Sequence, residues 1–227
     1  MCIIKVTKKV QNSPEGGERM LIERLKEKFN YDEPIFISEI YSVMKDYSRS
    51  KIFELINEAI HENTLNRYDY GIYYLPRRTI IGDSILSLDD VIEKKYIYNN
   101  DKRFGIFGLR VMEVNFSLST QIPALIEVIT NNESRKSRLI SIRGRNILLK
   151  KSRTTITNDN YQAYMILEFF TRINVNEYLN NARCQKEIKK YISENKISKI
   201  QVTELLNSFP AKTTKNLIVS EVFYEFT

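Results

Sequence analysis

The first third of the chain contains three stretches in which apolar residues recur at helical spacing. The first begins at Glu18 and carries Leu21, Leu25 and Phe29 on one face of a helix. The second, "FISEIYSVMK", is about two turns long, and Ser38 is its expected N-terminal cap. Both stretches predict amphipathic helices, separated by "NYDEP", where a proline ends the first.

The third stretch has the most regular helical pattern in the chain. Ser48 is its expected N-cap, and the apolar positions continue to about Glu62. Strand-like "TLNRY" and "IYYLP" follow, separated by a turn at Asp69-Tyr70-Gly71, which predicts a β-hairpin. Three helices followed by a hairpin are the order of a winged helix-turn-helix. We therefore predict this domain over residues 18–80, preceded by a flexible N-terminal segment over residues 1–17.

The remaining chain, residues 81–227, predicts a mixed α/β domain that ends in helices. "SLDDVIEKKYI" predicts a helix capped by Ser87, and "FGIFGLRVMEV" predicts a second short helix. A strand is expected from Ile122 to Thr130, and a basic hairpin is expected around Arg143-Gly144-Arg145. Helical spacing returns in "YQAYMILEFF", "VNEYLN", "CQKEIKKYISEN" and "QVTELLNS", and the closing "EVFYEF" favours a strand. The predicted fold class is α+β.

The predicted winged helix supplies candidate DNA contacts. Its third helix would enter the major groove with its N-terminal residues against base edges, and the hairpin would lie along the backbone. Arginine and asparagine are suited to bidentate contacts with guanine and adenine. The candidate groove contacts are Arg49, Ser50, Lys51 and Asn57, and the candidate backbone contacts are Arg67, Tyr68, Tyr70, Arg77 and Arg78. Because Glu54, Glu58 and Glu62 on the same helix would repel phosphate, a winged helix that binds protein instead remains an alternative.

Composition adds that the chain is basic and that the excess charge is local. The formal net charge is +7 for 227 residues, about +1 over residues 1–80 and about +6 over the rest. The segment from Glu133 to Arg153 holds eight basic residues against one acidic residue. Such a cluster suits contact with a partner protein, an RNA or flanking DNA, although charged strand edges also discourage aggregation without any partner. These basic residues are Arg135, Lys136, Arg138, Arg143, Arg145, Lys150, Lys151 and Arg153.

Membrane, metal and cofactor chemistry find no support in the sequence. Cys2 and Cys184 form no CxxC motif and are expected to be reduced thiols, and His61 is the single histidine, so no metal site is predicted. The chain lacks a G-x-G-x-x-G loop, and no cofactor is predicted. It also lacks a run of eighteen apolar residues and a signal-peptide core, which predicts a cytoplasmic protein without a membrane segment.

Polar residues that could suggest catalysis have simpler structural explanations. Asp89 and Asp90 follow Ser87 at the start of a predicted helix, where a capping box and the helix dipole favour acidic side chains. The residues from Ser119 to Gln121 have no histidine base nearby and fit a hydrogen-bonded turn before a strand. We therefore predict no catalytic residues and a protein that is not an enzyme.

Two segments together resemble a known family. "GIYYLP", from Gly71 to Pro76, is followed about forty-five residues on by "LSTQIPALIEVITN", from Leu118 to Asn131, and then by a basic strand pair. In this pairing the chain resembles the AbiEi-type antitoxins and transcriptional regulators of bacterial type IV toxin–antitoxin, or abortive infection, systems. The resemblance covers roughly residues 35 to 153.

The resemblance implies a division of labour between the two domains. The N-terminal winged helix would bind inverted repeats in double-stranded promoter DNA, as a homodimer, and repress its own gene. The C-terminal domain would counteract a nucleotidyltransferase-like toxin, directly or through a shared target, in a phage defence system. The alternatives are a free-standing winged-helix regulator and a winged-helix interaction module without DNA binding.

Overall fold

The computed structural model describes residues 15–80, 82–121 and 124–227, which form two compact units dividing between Val91 and Ile92. The described residues combine helices with β-sheets, which confirms the predicted α+β class. The boundary between the units lies C-terminal to the one predicted at residue 80. Of the predicted flexible segment, residues 1–14 lie outside the described residues, and residues 15–17 form the first turn of a helix instead.

The first unit combines three helices with a small antiparallel sheet. In chain order its elements are α1 (Glu15–Lys26), β1 (Ile35–Phe36), α2 (Ile37–Val43), α3 (Arg49–His61), β2 (Asn66–Asp69) and β3 (Ile72–Tyr74). The strands lie in the order β1-β3-β2, and both pairings are antiparallel. A separate two-stranded hairpin follows, with β4 (Arg78–Thr79) and β5 (Gly82–Asp83).

The core of the first unit joins the buried faces of all three helices to the sheet. Leu25 of α1, Ile40 of α2 and Leu55 of α3 are almost completely buried in one cluster, together with Tyr73 of β3. These positions are those of the apolar pattern, because each helix turns one stripe inward. The turn between β2 and β3 uses Gly71 at φ +70, a left-handed conformation that glycine adopts without strain.

The N-terminal caps of α2 and α3 differ in how well the sequence predicts them. The Ser48 hydroxyl accepts a hydrogen bond from the Lys51 backbone N–H at 3.3 Å, so the predicted cap of α3 is confirmed. The predicted cap Ser38 is wrong, because α2 begins at Ile37 and its N-cap is Phe36, two residues before Ser38. There the chain has just paired with β3, and the Glu39 carboxylate accepts a hydrogen bond from the Phe36 backbone N–H at 2.8 Å.

These two serines make a matched test of the α3 cap. Ser48→Ala should lower the free energy of unfolding of the first unit by about 1 kcal/mol, because one N–H at the start of the helix loses its acceptor. Ser38→Ala, inside α2, should cost less than about half of that. Chemical denaturation followed by circular dichroism measures both; equal losses would show that the Ser48 cap contributes nothing specific.

The second unit begins within a short helix and leads into a four-stranded sheet. Its elements up to the sheet are α4 (Leu88–Ile92, shared with the first unit), a π-helical turn (Glu93–Ile97), β6 (Tyr98–Asn99), β7 (Lys102–Arg103), β8 (Gly105–Phe107), α5 (Leu109–Asn115), β9 (Ile126–Thr130), β10 (Ser137–Ile142) and β11 (Arg145–Lys151). The sheet has the order β10-β11-β9-β8, with β9 and β11 parallel and the other pairs antiparallel. The predicted cap Ser87 accepts a hydrogen bond from Asp90 N. The helix predicted for "FGIFGLRVMEV" is wrong in the first part of the segment, which forms β8, and correct in the second part, which forms α5.

Five helices follow the sheet and build the larger core. They are α6 (Tyr161–Arg172), α7 (Val175–Leu179), α8 (Ala182–Glu194), α9 (Lys199–Leu206) and α10 (Ala211–Val219). Helix α6 lies at the centre, because Ile166, Leu167, Phe169 and Phe170 are all completely buried. Its hydrophobic residues share one buried cluster with Ile106 of β8 and Ile129 of β9, and the helix contacts α9 and α10.

The C-terminal "EVFYEF" is not the expected strand. Val222–Tyr224 form a 3₁₀ turn, which starts after Glu221 takes a left-handed conformation at φ 62. A backbone hydrogen bond fixes Thr227, because the Lys199 N–H donates to the Thr227 carbonyl at 2.9 Å. Within the described part of the chain, none of the helices is both long and apolar enough to cross a membrane.

Candidate nucleic-acid and partner-binding surfaces

The exposed side of α3 carries the predicted groove contacts of the first unit. Arg49, Ser50 and Asn57 are exposed, Lys51 is half-buried, and the intervening Ile52, Leu55, Ile56 and Ala59 are buried. The four polar residues thus lie on the side of the helix that faces away from the core. Arg49 and Lys51 are two residues apart on a helix of 3.6 residues per turn, so they lie on opposite flanks of this exposed side.

Arg49 is held by an aromatic neighbour while it remains exposed. Its guanidinium lies 5.3 Å from the centre of the Tyr41 ring, on helix α2. Phe53, which is 43% exposed, packs edge-on against the same ring at a centroid distance of 6.2 Å. Such a contact restricts the long arginine side chain without consuming its hydrogen-bond donors.

Lys51 is less available as a contact than Arg49. Its ammonium group forms a salt bridge with Glu54 at 2.9 Å, one turn along α3. The hydrogen bond to Glu54 raises the pKa of Lys51 above its usual value, and that carboxylate offsets its positive charge. A negative ligand would therefore have to compete with Glu54 for Lys51.

The hairpin of β2 and β3 separates its predicted contacts into exposed and buried ones. Tyr70 at the turn is 86% exposed, and the Arg67 guanidinium lies 5.6 Å from its ring centre. Tyr68 is only 8% exposed, so its side chain does not belong to the hairpin surface as predicted. The register between β2 and β3 shifts between Arg67 and Asp69, so Tyr68 lies at a bulge in the strand.

Arg77 and Arg78 follow the hairpin and differ in their surroundings. Both are exposed. The Arg77 guanidinium lies 3.5 Å from a carboxylate oxygen of Asp32, and its backbone N–H donates to the Ser84 hydroxyl at 2.8 Å. Arg78 begins β4 and pairs with Asp83 across the strands. Arg77 is thus the more fixed of the two predicted backbone contacts.

The eight predicted basic residues of the second unit do not form one surface. Arg138 is paired with the buried Glu133 at 2.9 Å, and Arg135, Arg143 and Arg145 are exposed near the ends of the β10–β11 hairpin. The other four lie together around a pocket of about 280 Å³. We call it the basic pocket; its lining residues are Ile129, Lys136, Ser137, Lys150, Lys151, Arg153, Tyr164, Glu168 and Arg172.

The basic pocket lies between the sheet and one face of α6. Tyr164, Glu168 and Arg172 follow one another at intervals of four residues and so point to the same side of the helix. Ser137 of β10, Lys150 of β11 and Ile129 of β9 are paired across the sheet. Directly opposite residues point to the same face of a sheet, so these three side chains face α6 together.

Two buried carboxylates organise the cations beside the pocket. Glu127 accepts a fork of hydrogen bonds from the Arg172 guanidinium, with Nη2 at 3.1 Å, and a third from Lys150 Nζ at 2.7 Å. Glu168 accepts a hydrogen bond from Arg153 Nε at 3.0 Å, and Arg172 Nη1 lies 3.9 Å from its other oxygen. The network links β9, β11, the segment after it and α6 through charge-assisted bonds.

The electrostatics of this network favour a charged Glu127 and a protonated Tyr164. Burial by itself would raise the pKa of Glu127, but the hydrogen bonds from Arg172 and Lys150 outweigh it, and the pKa lies below its usual value. Burial raises the pKa of Tyr164 to about 12. The Tyr164 hydroxyl accepts a hydrogen bond from Arg153 N at 2.8 Å, and it donates none to the described residues.

The sequence did not predict Glu127, Tyr164, Glu168 or Arg172 as members of this site. Each stands as a polar residue in an otherwise apolar segment, "LIEVIT" or "YQAYMILEFFTR". A charge inside a buried pattern is the one available signal, since buried charges need partners. That signal does not say which partner is chosen, because Glu127 and Arg172 are separated by more than forty residues.

The other residues whose side chains could be reactive have structural roles or unfavourable surroundings. His61 ends α3, is largely exposed and lies 3.5 Å from Glu62. Burial raises the pKa of Cys184 to about 11, which makes its thiol a poor nucleophile, and Cys2 lies outside the described residues. The backbone N–H of Gln121 donates to the Ser119 hydroxyl, as in the predicted turn. Among the residues described, no three His, Cys, Asp or Glu side chains are grouped to hold a metal.

Comparison with protein-family models finds no match, and a search of the curated proteins finds none either.

Proposed function

We propose that this protein is a DNA-binding antitoxin that represses its own promoter. In this proposal the first unit is a winged helix-turn-helix, and the second unit counteracts a nucleotidyltransferase-like toxin. Two kinds of support are independent of each other. The geometry of the first unit supports DNA binding, whereas the antitoxin role rests on the resemblance of "GIYYLP" and "LSTQIPALIEVITN" to AbiEi-type proteins.

The observation that carries DNA binding is the exposed N-terminal part of α3 within its frame of strands. The order α1-β1-α2-α3-β2-β3, with the sheet order β1-β3-β2, is compatible with a winged helix-turn-helix, in which α3 would be the recognition helix and the β2–β3 turn the wing. Arg49 and Asn57 are exposed on α3, and Arg67 and Tyr70 are exposed at the hairpin. Groove contacts and backbone contacts are then available on the same unit.

Arg49→Ala should weaken binding to the operator by about 1 to 3 kcal/mol, roughly five- to 150-fold, if Arg49 reads a guanine. The measurement is a gel-shift titration against the DNA upstream of the gene, with unrelated DNA of the same length. Arg19→Ala is the matched control, because Arg19 is an exposed arginine on α1 paired with Glu23. Arg67→Ala should weaken both DNAs equally and lower the salt slope by about one unit. Unchanged affinity in both Arg49→Ala and Arg67→Ala would refute DNA binding by this surface.

A second candidate function is supported by the acidic residues of α3. Glu54 pairs with Lys51, and Phe53 beside them is 43% exposed, a combination that suits a protein partner better than phosphate. Under this alternative the first unit is a winged-helix interaction module. It would replace the leading proposal if the protein fails to bind upstream DNA even at low salt, where nucleic-acid binding is strongest.

The antitoxin role is tested by co-expression with a nucleotidyltransferase-like gene from the same neighbourhood. Rescue of growth supports the role, and loss of rescue on deleting residues 92–227 would assign it to the second unit. Co-purification of the two proteins distinguishes direct contact from action on a shared target. A promoter with an inverted repeat but no neighbouring toxin gene would instead favour a free-standing regulator.

A further inference from the structure

The outer strand of the four-stranded sheet, β10, has one edge without a partner among the described strands. The sheet order β10-β11-β9-β8 places β10 (Ser137–Ile142) at one end, so β11 is its one neighbour in the described sheet. Their pairing shows no register shift, and β10 contains no proline. Bulges, prolines and very short strands are common means of blocking an open edge, and β10 uses none of them.

The hairpin turn determines which backbone groups of β10 point out of the sheet. Both residues of the turn after β10 have positive φ, as in a two-residue type I′ turn, so Ile142 and Arg145 form a hydrogen-bonded pair. Such pairs alternate along antiparallel strands, and at the far end Lys151 N–H donates to the Lys136 carbonyl, in agreement with this alternation. The residues between the bonded pairs direct their N–H and C=O groups outward, where these groups bond to no described residue: Ser137, Leu139 and Ser141.

The same three residues turn their side chains to one face of the sheet. Leu139, in the middle, is 58% exposed, and Leu148 lies directly opposite it on β11. Ser137 and Ser141 on either side are exposed as well. A strand that added to this edge would cover an apolar side chain flanked by two small ones, and its backbone would meet a donor and an acceptor from each of the three residues.

The charge of the edge limits what can pair with it. Between Ser134 and Arg145 the sequence has five basic residues and no acidic one. Arg135 and Lys136, just before β10, are exposed and form no salt bridge with the described residues. Like charges on facing strands destabilise a pairing, and opposite charges stabilise it. The edge therefore disfavours a second copy of itself and favours an acidic strand.

A nucleic-acid strand suits this edge less well than a peptide does. Phosphates could accept hydrogen bonds from the outward N–H groups and from the basic side chains. A phosphodiester backbone, however, has no N–H donors for the outward carbonyl groups, which would stay unpaired beside its anions. A peptide strand offers a donor and an acceptor at each paired position, so it satisfies both kinds of group.

We propose that the edge of β10 binds an extended acidic segment of another protein, which adds to the sheet as an antiparallel strand. Addition of a strand to an open sheet edge is a general mode of peptide recognition. In this pairing, apolar side chains of the segment lie beside Leu139, and the alternate, acidic side chains lie on the face of Lys136 and Arg138. The inference goes beyond the proposed function, because it concerns the second unit and does not require the partner to be a toxin.

The test titrates the full-length protein into short fluorescent peptides and measures their anisotropy. The first peptide alternates glutamate with valine. The second has lysine in place of each glutamate, and the third is the first peptide with methylated backbone nitrogens at its valines. The glutamate peptide should bind at least about tenfold tighter than either of the others. The lysine peptide reverses the charge, whereas the methylated peptide keeps the charge and loses the N–H groups that face the edge.

Proline variants place the binding on β10. Leu139→Pro removes an outward N–H and leaves the hydrogen bonds to β11 in place, so it should weaken the glutamate peptide at least about tenfold. Ser141→Pro removes the next outward N–H and should have the same effect, which provides a second variant if the first fails to fold. Thermal unfolding of each variant verifies its fold.

Charge variants separate the edge from general attraction to a basic protein. Arg135→Gln/Lys136→Gln should weaken the glutamate peptide about fivefold, because two cross-strand ion pairs are lost. Lys212→Gln/Lys215→Gln is the matched control: it removes the same charge from exposed positions on α10 and should change the affinity less than about twofold.

Four results would overturn the proposal. Equal binding of the methylated peptide would leave only charge attraction, and unchanged affinity in both folded proline variants would exclude this edge. A single-stranded DNA of the same charge that binds more tightly and displaces the peptide would identify a nucleic acid as the ligand. Dimerisation of the protein that Leu139→Pro abolishes would identify a second copy. Arg49→Ala should leave peptide binding unchanged, so failure of DNA binding and failure of this site are distinguishable.

Discussion

Gly105→Ala should destabilise the second unit by about 3 kcal/mol, at the upper end of the usual cost of overpacking. Gly105 pairs with Thr130 between β8 and β9. An added Cβ would overlap the Tyr96 backbone carbonyl and lie 2.9 Å from that of Ile129. Both obstacles are main-chain atoms, one in the π-helical turn and one in the sheet, so they cannot rotate away as a side chain could.

Urea unfolding followed by circular dichroism measures this loss in the full chain. Gly16→Ala is the same chemical change in helix α1, where nothing lies within 4 Å of the added carbon. That variant should be neutral or stabilise the first unit by up to about 1 kcal/mol, because alanine loses less backbone entropy than glycine. Equal stability of Gly105→Ala and the original protein would contradict the close packing of the π-helical turn on β8.

Glu127→Gln should lower the free energy of unfolding of the second unit by about 2 to 4 kcal/mol at pH 7. The carboxylate is about 90% buried and holds both Arg172 and Lys150, whose charges would lose their partner. Breaking a fully buried ion pair costs about 3 to 5 kcal/mol, and we expect less here because both cations are partly exposed. Glu194→Gln is the control, since Glu194 is exposed and its contact with Lys190 at 3.9 Å should contribute less than about 1 kcal/mol.

The pH dependence of the same variant checks that charge, rather than packing, is responsible. The folded protein holds the pKa of Glu127 below its unfolded value of about 4.3. The stabilisation is therefore complete above that value and is lost as the pH falls through the lower, folded pKa. The stability difference between the original protein and Glu127→Gln should be constant near neutrality and shrink in acid. A difference that is the same at pH 7 and in acid would contradict this explanation.

Elements with a local signal could be predicted from the sequence. The apolar stripe and Ser48 cap of α3, the β2–β3 turn at Gly71 and the β10–β11 hairpin depend on residues close together in the chain. Their structure is largely decided by periodicity, side-chain capping and turn chemistry, all of which are visible in a single sequence.

Features that depend on distant partners could not be predicted. Pairing of β1 with β3 places the N-cap of α2 at Phe36 instead of Ser38, and pairing of Gly105 with Thr130 makes part of an apparent helix into β8. The burial of Tyr68 depends on which face of the hairpin packs inward. In each case tertiary contacts decided between local alternatives that the sequence left nearly equal.

The basic pocket shows the same division within one site. The basic character of the hairpin was evident from composition, and four of its eight basic residues line the pocket. What composition could not show is that Glu127 pairs with Lys150 and Glu168 with Arg153. The charge balance of the pocket is therefore decided by packing between the sheet and α6.

The parallel pairing of β9 with β11 also determines when the pocket can form during folding. The β10–β11 hairpin joins neighbours in the chain, and such hairpins form in about 1 to 10 μs. β9 reaches β11 only across the whole hairpin, and α6 must then pack over both, which are slower, non-local steps. The walls of the pocket come from all three pieces, so it is completed only with the last of them.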